Sequence, residues 1–394
     1  MEFLQIKDFA TVVTGGTPST KNKEFWEEGS IPWLNSGELN QGIVKTTRNY
    51  ITKLGLTKSS ARLMPVNTIL IALTGTTTGV VGYLTFEASA NQSVTGILPS
   101  EKHDPKYLFF YLKSIRPKVL HDAYGGAQPH ISQGYVKDIN IPLPPLATQQ
   151  KIAAILDEAD TLRQLNKDLI AKYEALTQSL FLDMFGDPVT NPKGWNKAEL
   201  QKLTSKIGSG STPRGGKESY LEEGISLIRS LNIYDNKFKY KNLAFISDEQ
   251  ANKLKNVIVE ENDVLFNITG ASICRSSIVP VDVLPARVNQ HVSILRTIKE
   301  ELSPVFLSHL LISENVKNKL LGVGSGGGAV MQAITKEQLK AIKVIIPPIQ
   351  LQNQFTERVA LIEQQKQQAQ EALQKSDHLF NSLLQKAFKG ELVN

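Results

Sequence analysis

The chain has 394 residues, which is too long for a single hydrophobic core, and its composition of 41% hydrophobic and 21% charged residues is typical of globular proteins. It contains no apolar run near the roughly 18 residues that a membrane helix needs, and its first residues do not resemble a signal peptide. The single cysteine, Cys274, cannot form an internal disulfide and is expected to be a small packing residue, so we expect a reducing, cytoplasmic location.

The positive charge is concentrated in two parts of the chain. The net charge is +6, and residues 1–145 carry an excess of three positive charges while residues 191–347 carry an excess of six. Residues 146–190 carry an excess of three negative charges, and residues 348–394 are balanced. Two basic parts separated by a neutral or acidic segment favour a protein that binds a polyanion at two places. Ordinary solubilising charge is the alternative.

Residues 1–146 are predicted to form a first lobe of mixed α and β structure. Residues 68–73 and 79–84 have the apolar, β-branched pattern of strands. Residues 105–113 begin with proline and are predicted to form a short helix. A proline pair at 144–145 ends the lobe, because proline stops a strand and can begin the helix that follows.

Residues 147–186 are predicted to form a first long helix, roughly 60 Å in length at 1.5 Å per residue. Apolar residues recur at intervals of three and four, which is the spacing of a coiled-coil seam. A polar residue, Asn166, occupies one seam position, where it can fix the register of pairing at some cost in stability. The predicted seam comprises Ile152, Ile155, Ala159, Leu162, Asn166, Leu169, Tyr173, Leu176 and Leu180.

The second half of the chain repeats this order. Residues 246–270 align with residues 51–75 without a gap, so residues 187–347 are predicted to form a second, similar lobe. A second long helix follows at 348–394, with a weaker seam that Lys366 and Ser376 interrupt. Its predicted seam residues are Phe355, Val359, Ile362, Ala369, Leu373, Phe380 and Leu383.

The two long helices are interpreted as one antiparallel coiled coil that joins the lobes, because neither helix has enough apolar surface to be stable alone. The alternative is that each helix packs only on its own lobe. The predicted fold is therefore α+β, with two similar mixed α/β lobes related by an approximate two-fold axis. Duplex DNA has the same symmetry, so such a chain could place one lobe on each of two half-sites. The lobes have diverged, since residues 32–35 (PWLN) correspond to residues 226–229 (SLIR), which predicts an asymmetric target.

The usual sequence signals for catalysis are missing. The chain has no phosphate-binding loop of the G-x-x-x-x-G-K-[ST] type, and it has no Asn/Asp-Pro-Pro-Tyr/Phe tetrapeptide of amino-methyltransferases. The six histidines lack the spacing of paired metal ligands. The glycine-rich residues 322–328 are a weak nucleotide motif, because no strand leads cleanly through them into a helix. We therefore expect a chain without catalytic residues, metal or bound cofactor.

The repeat of lobe and helix resembles the DNA-specificity (S) subunits of type I restriction-modification systems over essentially the whole chain. The resemblance lies in residues 16–19 (GTPS) and 211–213 (STP), and in residues 141–146 (IPLPPL) and 344–349 (VIIPPI), which lead into the long helices. Residues 126–132 (GAQPHIS) resemble the segment that closes a lobe in this family, and 328–335 (GAVMQAIT) is a looser counterpart.

The resemblance implies a function and a set of partners. Each lobe is expected to be a target recognition domain that reads one half of a bipartite DNA site. The helices are expected to set the gap and to dock two methyltransferase (M) subunits, which supply S-adenosylmethionine. Restriction (R) subunits, which use ATP and magnesium, would join for cleavage.

Within each lobe we expect lysines and arginines to hold phosphates and a few polar side chains to read bases. Arg229 and Arg275 are predicted to contact guanine through two hydrogen bonds each, a contact that discriminates by about 1–3 kcal/mol. An ion pair within the lobe or at its surface is the alternative for each arginine. The candidates in the first lobe are Lys21, Lys23, Arg48, Thr76, Thr77, Gln128 and His130. Those in the second are Arg214, Lys217, Arg229, Asn232, Arg275 and Gln332.

Two other functional classes stay open on the sequence alone. The first is a coiled-coil scaffold with two protein-binding lobes and no DNA, against which the basic lobes argue. The second is an enzyme with unrecognised motifs. A steep loss of duplex binding with salt favours the DNA-binding chain, and methyl transfer by the isolated chain would favour the enzyme.

Overall fold

The computed structural model describes residues 2–126, 128–213, 215–324 and 333–393. The chain divides into two compact units, each with its own core. Unit 1 comprises Met1–Lys167 and Gln370–Asn394, and unit 2 comprises Asp168–Ala369. Each unit therefore contains one predicted lobe and parts of both long helices.

In the residues that the structure describes, unit 1 has ten short strands and several short helices, followed by the first long helix. Its strands are β1 Phe3–Gln5, β2 Val12–Thr14, β3 Ile31–Leu34, β4 Ile43–Val44, β5 Asn49–Ile51, β6 Ile69–Ala72, β7 Val81–Leu84, β8 Ser89–Ala90, β9 Val94–Ile97 and β10 Asn140–Pro142. Its helices are α1 Ile6–Phe9, α2 Lys53–Thr57, α3 Pro105–Ser114, α4 Arg116–Asp122, α5 Gln133–Asp138 and α6 Leu146–Phe185, of which α6 continues into unit 2.

The strands of unit 1 form three sheets. A five-stranded sheet has the order β2-β9-β6-β7-β4, a three-stranded sheet has the order β5-β3-β8, and β1 pairs with β10. One face of the larger sheet packs on α3 through a core that includes Ile69, Ile71 and Phe109. The other face packs on the smaller core of Leu34, Leu70 and neighbouring residues. The core thus fixes the sheet from both sides and leaves its loop ends at the surface.

Unit 2 repeats this organisation. Its strands are β11 Asn196–Glu199, β12 Thr204–Ser209, β13 Ile225–Ile228, β14 Ile233–Tyr234, β15 Lys237–Phe238, β16 Ala244–Ile246, β17 Ile258–Val259, β18 Val264–Asn267, β19 Ser276–Ile278, β20 Ala286–Val288, β21 Val292–Thr297 and β22 Lys343–Ile346. Its helices are α7 Leu200–Leu203, α8 Asp248–Asn252, α9 Pro304–Ile312, α10 Glu314–Gly324, α11 Lys336–Ala341 and α12 Ile349–Lys389, of which α12 continues into unit 1.

The main sheets of the two units have the same strand order. In unit 2 the order β12-β21-β18-β19 matches β2-β9-β6-β7 of unit 1, and a second sheet has the order β16-β13-β20-β17. The predicted strands at 68–73, 79–84 and in the corresponding part of the second lobe are confirmed, as is the short proline-started helix of each lobe. Both long helices are confirmed as well.

A buried glutamine joins each lobe to its long helix. The side chain of Gln149 accepts from the backbone N–H of Asp104 (2.9 Å) and donates to the carbonyl oxygens of Lys102 (3.2 Å) and Pro144 (2.8 Å). Gln352 repeats these contacts in unit 2. It accepts from the N–H of Ser303 (2.9 Å) and donates to the carbonyls of Glu301 (3.2 Å) and Pro347 (2.8 Å). All six partners are backbone groups, and both glutamines are buried.

The packing around the helices differs between the units. In unit 1, Arg163 of α6 lies 2.7 Å from Asp377 of α12 and 2.6 Å from Asp160, and its guanidinium lies over the Phe380 ring at 4.4 Å. Lys113 of α3 lies 3.4 Å from Asp160, and burial lowers the pKa of Lys113 although Asp160 opposes this. Unit 1 therefore joins α6 and α12 through a charged network, and the ring of Phe388 of α12 packs on Tyr107 and Tyr111 of α3 at 5.5 and 5.0 Å.

Unit 2 has a counterpart of this network in Lys366, which lies 3.1 Å from Glu363 and 3.8 Å from Glu174, and it also has an aromatic cluster between the helices. Phe181 and Phe185 of α6 pack on Phe355 of α12 and on Phe306 of α9, with ring centroids 4.7–5.6 Å apart. His309 of α9 adds an edge-to-face contact to Phe355 at 5.2 Å. Burial lowers the pKa of His309 to about 4, with Lys366 acting in the same direction.

Within each unit the two long helices run antiparallel. In unit 1, Arg163 and Asn166 of α6 contact Asp377 and Ser376 of α12, in that order. In unit 2, Glu174 lies near Lys366 (3.8 Å), whereas Phe185, further along α6, packs on Phe355, which is earlier on α12. Residue numbers rise along one helix as they fall along the other, so the predicted antiparallel pairing is confirmed. No helix in the part of the chain that the structure describes is long and apolar enough to span a membrane.

Candidate nucleic-acid interface

Four strand ends meet at one edge of the main sheet in unit 1. The register pairs Thr14 at the end of β2 with Thr95 of β9, and Ala72 at the end of β6 with Val94 at the start of β9. Because these strands are antiparallel, the loops 15–23, 74–80 and 91–93 lie next to one another at this edge. We call this edge with its loops the loop end of the lobe.

A further segment of the first lobe is fastened to the loop end. The backbone N–H of Gly75 donates to the carbonyl oxygen of Pro129 (2.9 Å), and the Thr78 hydroxyl donates to the same oxygen (2.7 Å). Gly75 has φ +72°, and a Cβ built there would meet no other atom within 4 Å. Glycine therefore suits this position because of its positive φ and not because space is short. His130 pairs with Thr74 and with Tyr124 as backbone bridges.

Most candidates of the first lobe are brought to the loop end. Thr76 and Gln128 are exposed there, and Thr77 and His130 are half-buried beside them. The Thr77 hydroxyl donates to the carbonyl of Thr74 (3.1 Å), so it also holds the turn. The His130 ring packs edge-on against Tyr124 with centroids 5.0 Å apart.

The basic candidates of the first lobe are exposed. Lys23 forms a weak surface pair with Glu27 at 3.6 Å, and Lys21 is exposed two residues before it. The segment that carries Arg48 is linked to the loop end through Trp33. The Thr47 hydroxyl donates to the Trp33 carbonyl (2.9 Å), and the Trp33 indole donates to the carbonyl of Gly16 (3.0 Å).

Unit 2 builds its own loop end in the same way. Ser209 of β12 pairs with Ser293 of β21, and Asn267 at the end of β18 pairs with Val292. The Asn267 amide donates to the Ser230 carbonyl (2.9 Å), which fixes the loop after β13 at the same edge. Thr269 hydrogen-bonds the His291 ring (2.6 Å).

Arg275 lies at this second loop end in a half-buried position. Its guanidinium lies over the Tyr234 ring at 4.4 Å from the centroid. Lys239 lowers the pKa of Tyr234 by a hydrogen bond and by its charge, and Arg275 acts in the same direction. Stacking on an aromatic ring orients the guanidinium while leaving its edge free to bind.

Arg229 is held more firmly by the protein. Its guanidinium packs on Tyr220 at 5.0 Å and donates to the backbone carbonyl of Asn242, while its buried Nε has no partner among the described residues. It could contact a ligand only through the part of the guanidinium that these contacts leave free.

The candidate Asn232 is corrected. Its side chain is 0% exposed, accepts from the N–H of Arg229 (3.1 Å) and donates to the carbonyl of Lys239 (2.9 Å). The amide therefore holds the turn after β13 and cannot reach a ligand. Three other candidates of the second lobe, Arg214, the side chain of Lys217, and Gln332, lie outside what the structure describes.

Sequence reasoning missed one repeated constellation at the loop ends. Thr17 donates its hydroxyl to the side-chain carbonyl of Gln92, and Thr212 does the same to Gln290. Each glutamine follows an asparagine and stands two residues before the valine that begins a strand. The repeated pattern Asn-Gln-x-Val was visible in the sequence and would have revealed both.

The predicted seam of α6 is confirmed at six of its nine residues and wrong at the other three. Ile152, Ile155, Ala159, Asn166, Tyr173 and Leu180 are buried or half-buried, as predicted. At the other three positions the seam is shifted by one residue, because Leu162, Leu169 and Leu176 are 45%, 39% and 49% exposed. The inward positions are instead Arg163, Ile170 and Thr177, and Leu156 is also buried.

A polar seam is possible because its members have partners. Arg163 is paired with two carboxylates and an aromatic ring, and Thr177 donates to the Tyr173 carbonyl (3.1 Å). The predicted seam of α12 is confirmed at all its residues: Phe355, Val359, Ile362, Ala369, Leu373, Phe380 and Leu383 are buried or half-buried. Lys366 and Ser376 complete this seam.

The chain matches a family model described as the type I restriction modification DNA specificity domain, over residues 1–175 and 192–373. The chain belongs to this family. One relative, the type I restriction enzyme MjaIX specificity subunit of Methanocaldococcus jannaschii, is 29% identical over 302 residues, which cover 70% of this chain and 68% of the relative. Another, the EcoKI specificity subunit of Escherichia coli K12, is 25% identical, with 98% of this chain and 89% of the relative covered.

Solved structures agree on the fold. The crystal structure of a type I restriction-modification S subunit from M. genitalium superposes with a TM-score of 0.60 at 18% sequence identity, covering 98% of this chain and 96% of that one. The repeated lobe and long helix are thus the architecture of this family, and the predicted fold class is confirmed.

Proposed function

We propose that this chain is the sequence-specific DNA-binding subunit of a type I restriction-modification complex, in which each lobe reads one half of a bipartite, asymmetric site. The observation that carries the proposal is the loop end, which occurs in each lobe with the same strand order and different side chains. One fold that presents two sets of side chains suits two different half-sites. Membership of the specificity family supports the same conclusion.

The candidate residues at each loop end have the chemistry for this task. Arg275 is oriented by an aromatic ring, and Arg229 by a ring and a backbone carbonyl. Thr76 and Gln128 offer hydrogen-bonding groups at the first loop end. Lys21, Lys23 and Arg48 carry exposed positive charge for phosphates.

The long helices would set the distance between half-sites and dock the methyltransferase subunits. The leucines that the seam leaves outside support this second role. Leu162 and Leu165 are exposed in unit 1, and Leu169 and Leu176 are exposed in unit 2. Exposed leucines at helical spacing on a paired helix favour a protein partner over solvent.

This chain would select the DNA site, and its partner subunits would catalyse the reactions there. Two M subunits would bring S-adenosylmethionine and methylate an adenine, and R subunits would bring ATP and magnesium. This assignment rests on the family and on the absence of catalytic motifs from the sequence. An assay of methyl transfer by the isolated chain tests it, and activity without a partner would contradict it.

Binding to duplex DNA across a salt series is the first test. Phosphate contacts predict a steep, log-linear loss of affinity as salt rises. A salt-insensitive interaction would instead support a protein-binding scaffold. Methylome sequencing of cells that carry this chain and its M partner would then reveal the site.

Substitution of Arg275 by alanine tests the independence of the lobes. We expect relaxed preference at one half-site and an unchanged second half-site, with a loss of about 1–3 kcal/mol in discrimination. Equal loss at both half-sites would contradict independent reading.

A further inference from the structure

The two loop ends share one constellation while their other side chains differ. In each lobe the threonine of a Thr-Pro loop donates to the Oε1 of a glutamine, Thr17 to Gln92 and Thr212 to Gln290. Both glutamines are exposed. We call each pair a threonine–glutamine clamp.

The backbone beneath the two clamps is also the same. The N–H of Asn91 donates to the carbonyl at the end of β3 (2.8 Å), and the N–H of Asn289 donates to the carbonyl at the end of β13 (3.1 Å). Each asparagine side chain accepts from the N–H two residues later at 3.1 Å. The glutamine is therefore carried on a rigid turn.

The glycine that precedes each Thr-Pro loop fits tightly against this turn. A Cβ at Gly15 would stand 2.3 Å from the carbonyl oxygen of Ala90, and one at Gly210 would stand 1.8 Å from that of Val288. Only glycine allows this approach of the two backbones. The spacing between threonine and glutamine is thus set by the backbone in both lobes.

Neighbouring positions have diverged. Ser93 follows the first glutamine and His291 the second, and Asn35 stands after β3 where Arg229 stands after β13. Under the proposed function, on which this inference rests, the two lobes read different sequences. A feature that both lobes keep cannot encode that difference, whereas the sugar–phosphate backbone is the same at both half-sites.

We propose that the two clamps are phosphate-binding elements, in which Gln92 and Gln290 each donate a side-chain N–H to a DNA phosphate and so set the register of their lobe. The threonine hydroxyl occupies the Oε1 acceptor, which leaves Nε2 as the donor. In the second lobe Nε2 of Gln290 also lies 3.2 Å from Nε2 of His291, so one of its two N–H groups stays available for a phosphate. A neutral amide suits this role, because it can hydrogen-bond a phosphate oxygen at a fixed position without adding a positive charge that would attract the DNA from any position. The divergent neighbours are left to read bases.

The test measures affinity and base preference separately. The full chain and its Gln92→Ala and Gln290→Ala variants are titrated with a random-sequence duplex pool by fluorescence anisotropy, and the bound fraction is sequenced. Each variant should bind about tenfold more weakly, as expected for one hydrogen bond to a charged acceptor, with unchanged base preference. Gln92→Glu should lose more, because its carboxylate repels phosphate.

Matched variants separate contact from folding. Thr17→Ser keeps the hydroxyl and should bind as the wild type, whereas Thr17→Val frees the amide and should weaken binding, with thermal unfolding unchanged in both. Ser93→His, which copies the second lobe, should alter base preference while affinity for the pool is kept. These outcomes together support a positioning contact.

Two results would overturn the inference alone. If Gln92→Ala changed the preferred bases, the glutamine would be a base reader. If neither glutamine variant changed affinity, the clamp would only hold the loop. A wild-type chain that binds no duplex would overturn the proposed function, and this inference with it.

Discussion

The two units hold the same lobe-to-helix arrangement with the same kinds of contact, differently distributed. Unit 1 has the closer charged network, in which Arg163 lies 2.6 Å from Asp160 and 2.7 Å from Asp377, and its aromatic contacts run from α12 to α3. In unit 2 Lys366 lies 3.1 Å from Glu363 and 3.8 Å from Glu174, and a cluster of phenylalanines joins α6, α9 and α12. A partly exposed charged network contributes little net stability, while buried aromatic side chains contribute several kcal/mol each. The backbone hydrogen bonds of Gln149 and Gln352 are common to both units and define the joint between lobe and long helix. The stability of each joint then depends on the side chains that pack around it in that unit.

The largest effect is expected from the aromatic cluster. Phe355→Ala in unit 2 removes a fully buried ring that touches Phe181, Phe185 and His309. It should lower the free energy of unfolding by about 3–5 kcal/mol. Chemical denaturation measures this, with Phe3→Ala, at a 60% exposed ring, as the control that should change little. A loss under about 1 kcal/mol would show that the cluster is not what holds unit 2.

The shared glutamines should behave alike. Gln149→Leu and Gln352→Leu each leave one backbone N–H and two carbonyls without their buried partner. We expect a cost of about 2–3 kcal/mol in either unit, measured by urea denaturation. Clearly unequal losses would contradict a common joint.

The pH dependence distinguishes the units through His309. His309 is the sixth residue of α9, and the sixth residue of α3 in unit 1 is Phe110. Because burial lowers the pKa of His309 to about 4, the unfolded chain binds a proton at higher pH than the folded chain. Stability should therefore be complete above about pH 6.5 and fall as the pH drops towards 4.

His309→Phe, which copies unit 1, should reduce this acid sensitivity by about 1–2 kcal/mol at pH 5. Thermal unfolding at pH 5 and pH 8 measures it. His103, buried in unit 1, has its pKa lowered to about 4 by burial, so part of the acid sensitivity should remain. If the variant lost stability equally at both pH values, protonation of His309 would not be the cause.

The smallest effect is expected from the charged network. Arg163→Met should cost about 1 kcal/mol or less, because the pairs of Arg163 are partly exposed. The difference from wild type should shrink in 1 M salt, roughly the concentration at which the Debye length is 3 Å. A cost that salt does not change would point to packing on Phe380 instead.

The fold could be predicted because its main signals are local. The proline pairs, the heptad spacing and the aligned repeat determine two lobes and two long helices from the sequence alone. The seam of α12 was predicted because its apolar residues are the ones that point inward.

The site and the α6 register could not be predicted in full, because they depend on remote partners. Arg163 occupies the seam only because Asp377 lies 2.7 Å away on the other helix, so a leucine at 162 looked the better choice. Asn232 looked like a base reader because nothing local reveals that the Lys239 carbonyl accepts from it. Whether a polar residue faces solvent or the interior is decided by tertiary contacts.

The glutamine at the start of each long helix has an evolutionary consequence. The hydrogen bonds that Gln149 and Gln352 make to the lobe go only to backbone groups, so these bonds place no demand on the identity of the lobe's side chains. A genetic crossover within the codons between Pro145 and Gln149, or within their counterparts, would attach a different lobe of the same fold and keep these hydrogen bonds. Inheritance of a new lobe by recombination would then change the target in a single event.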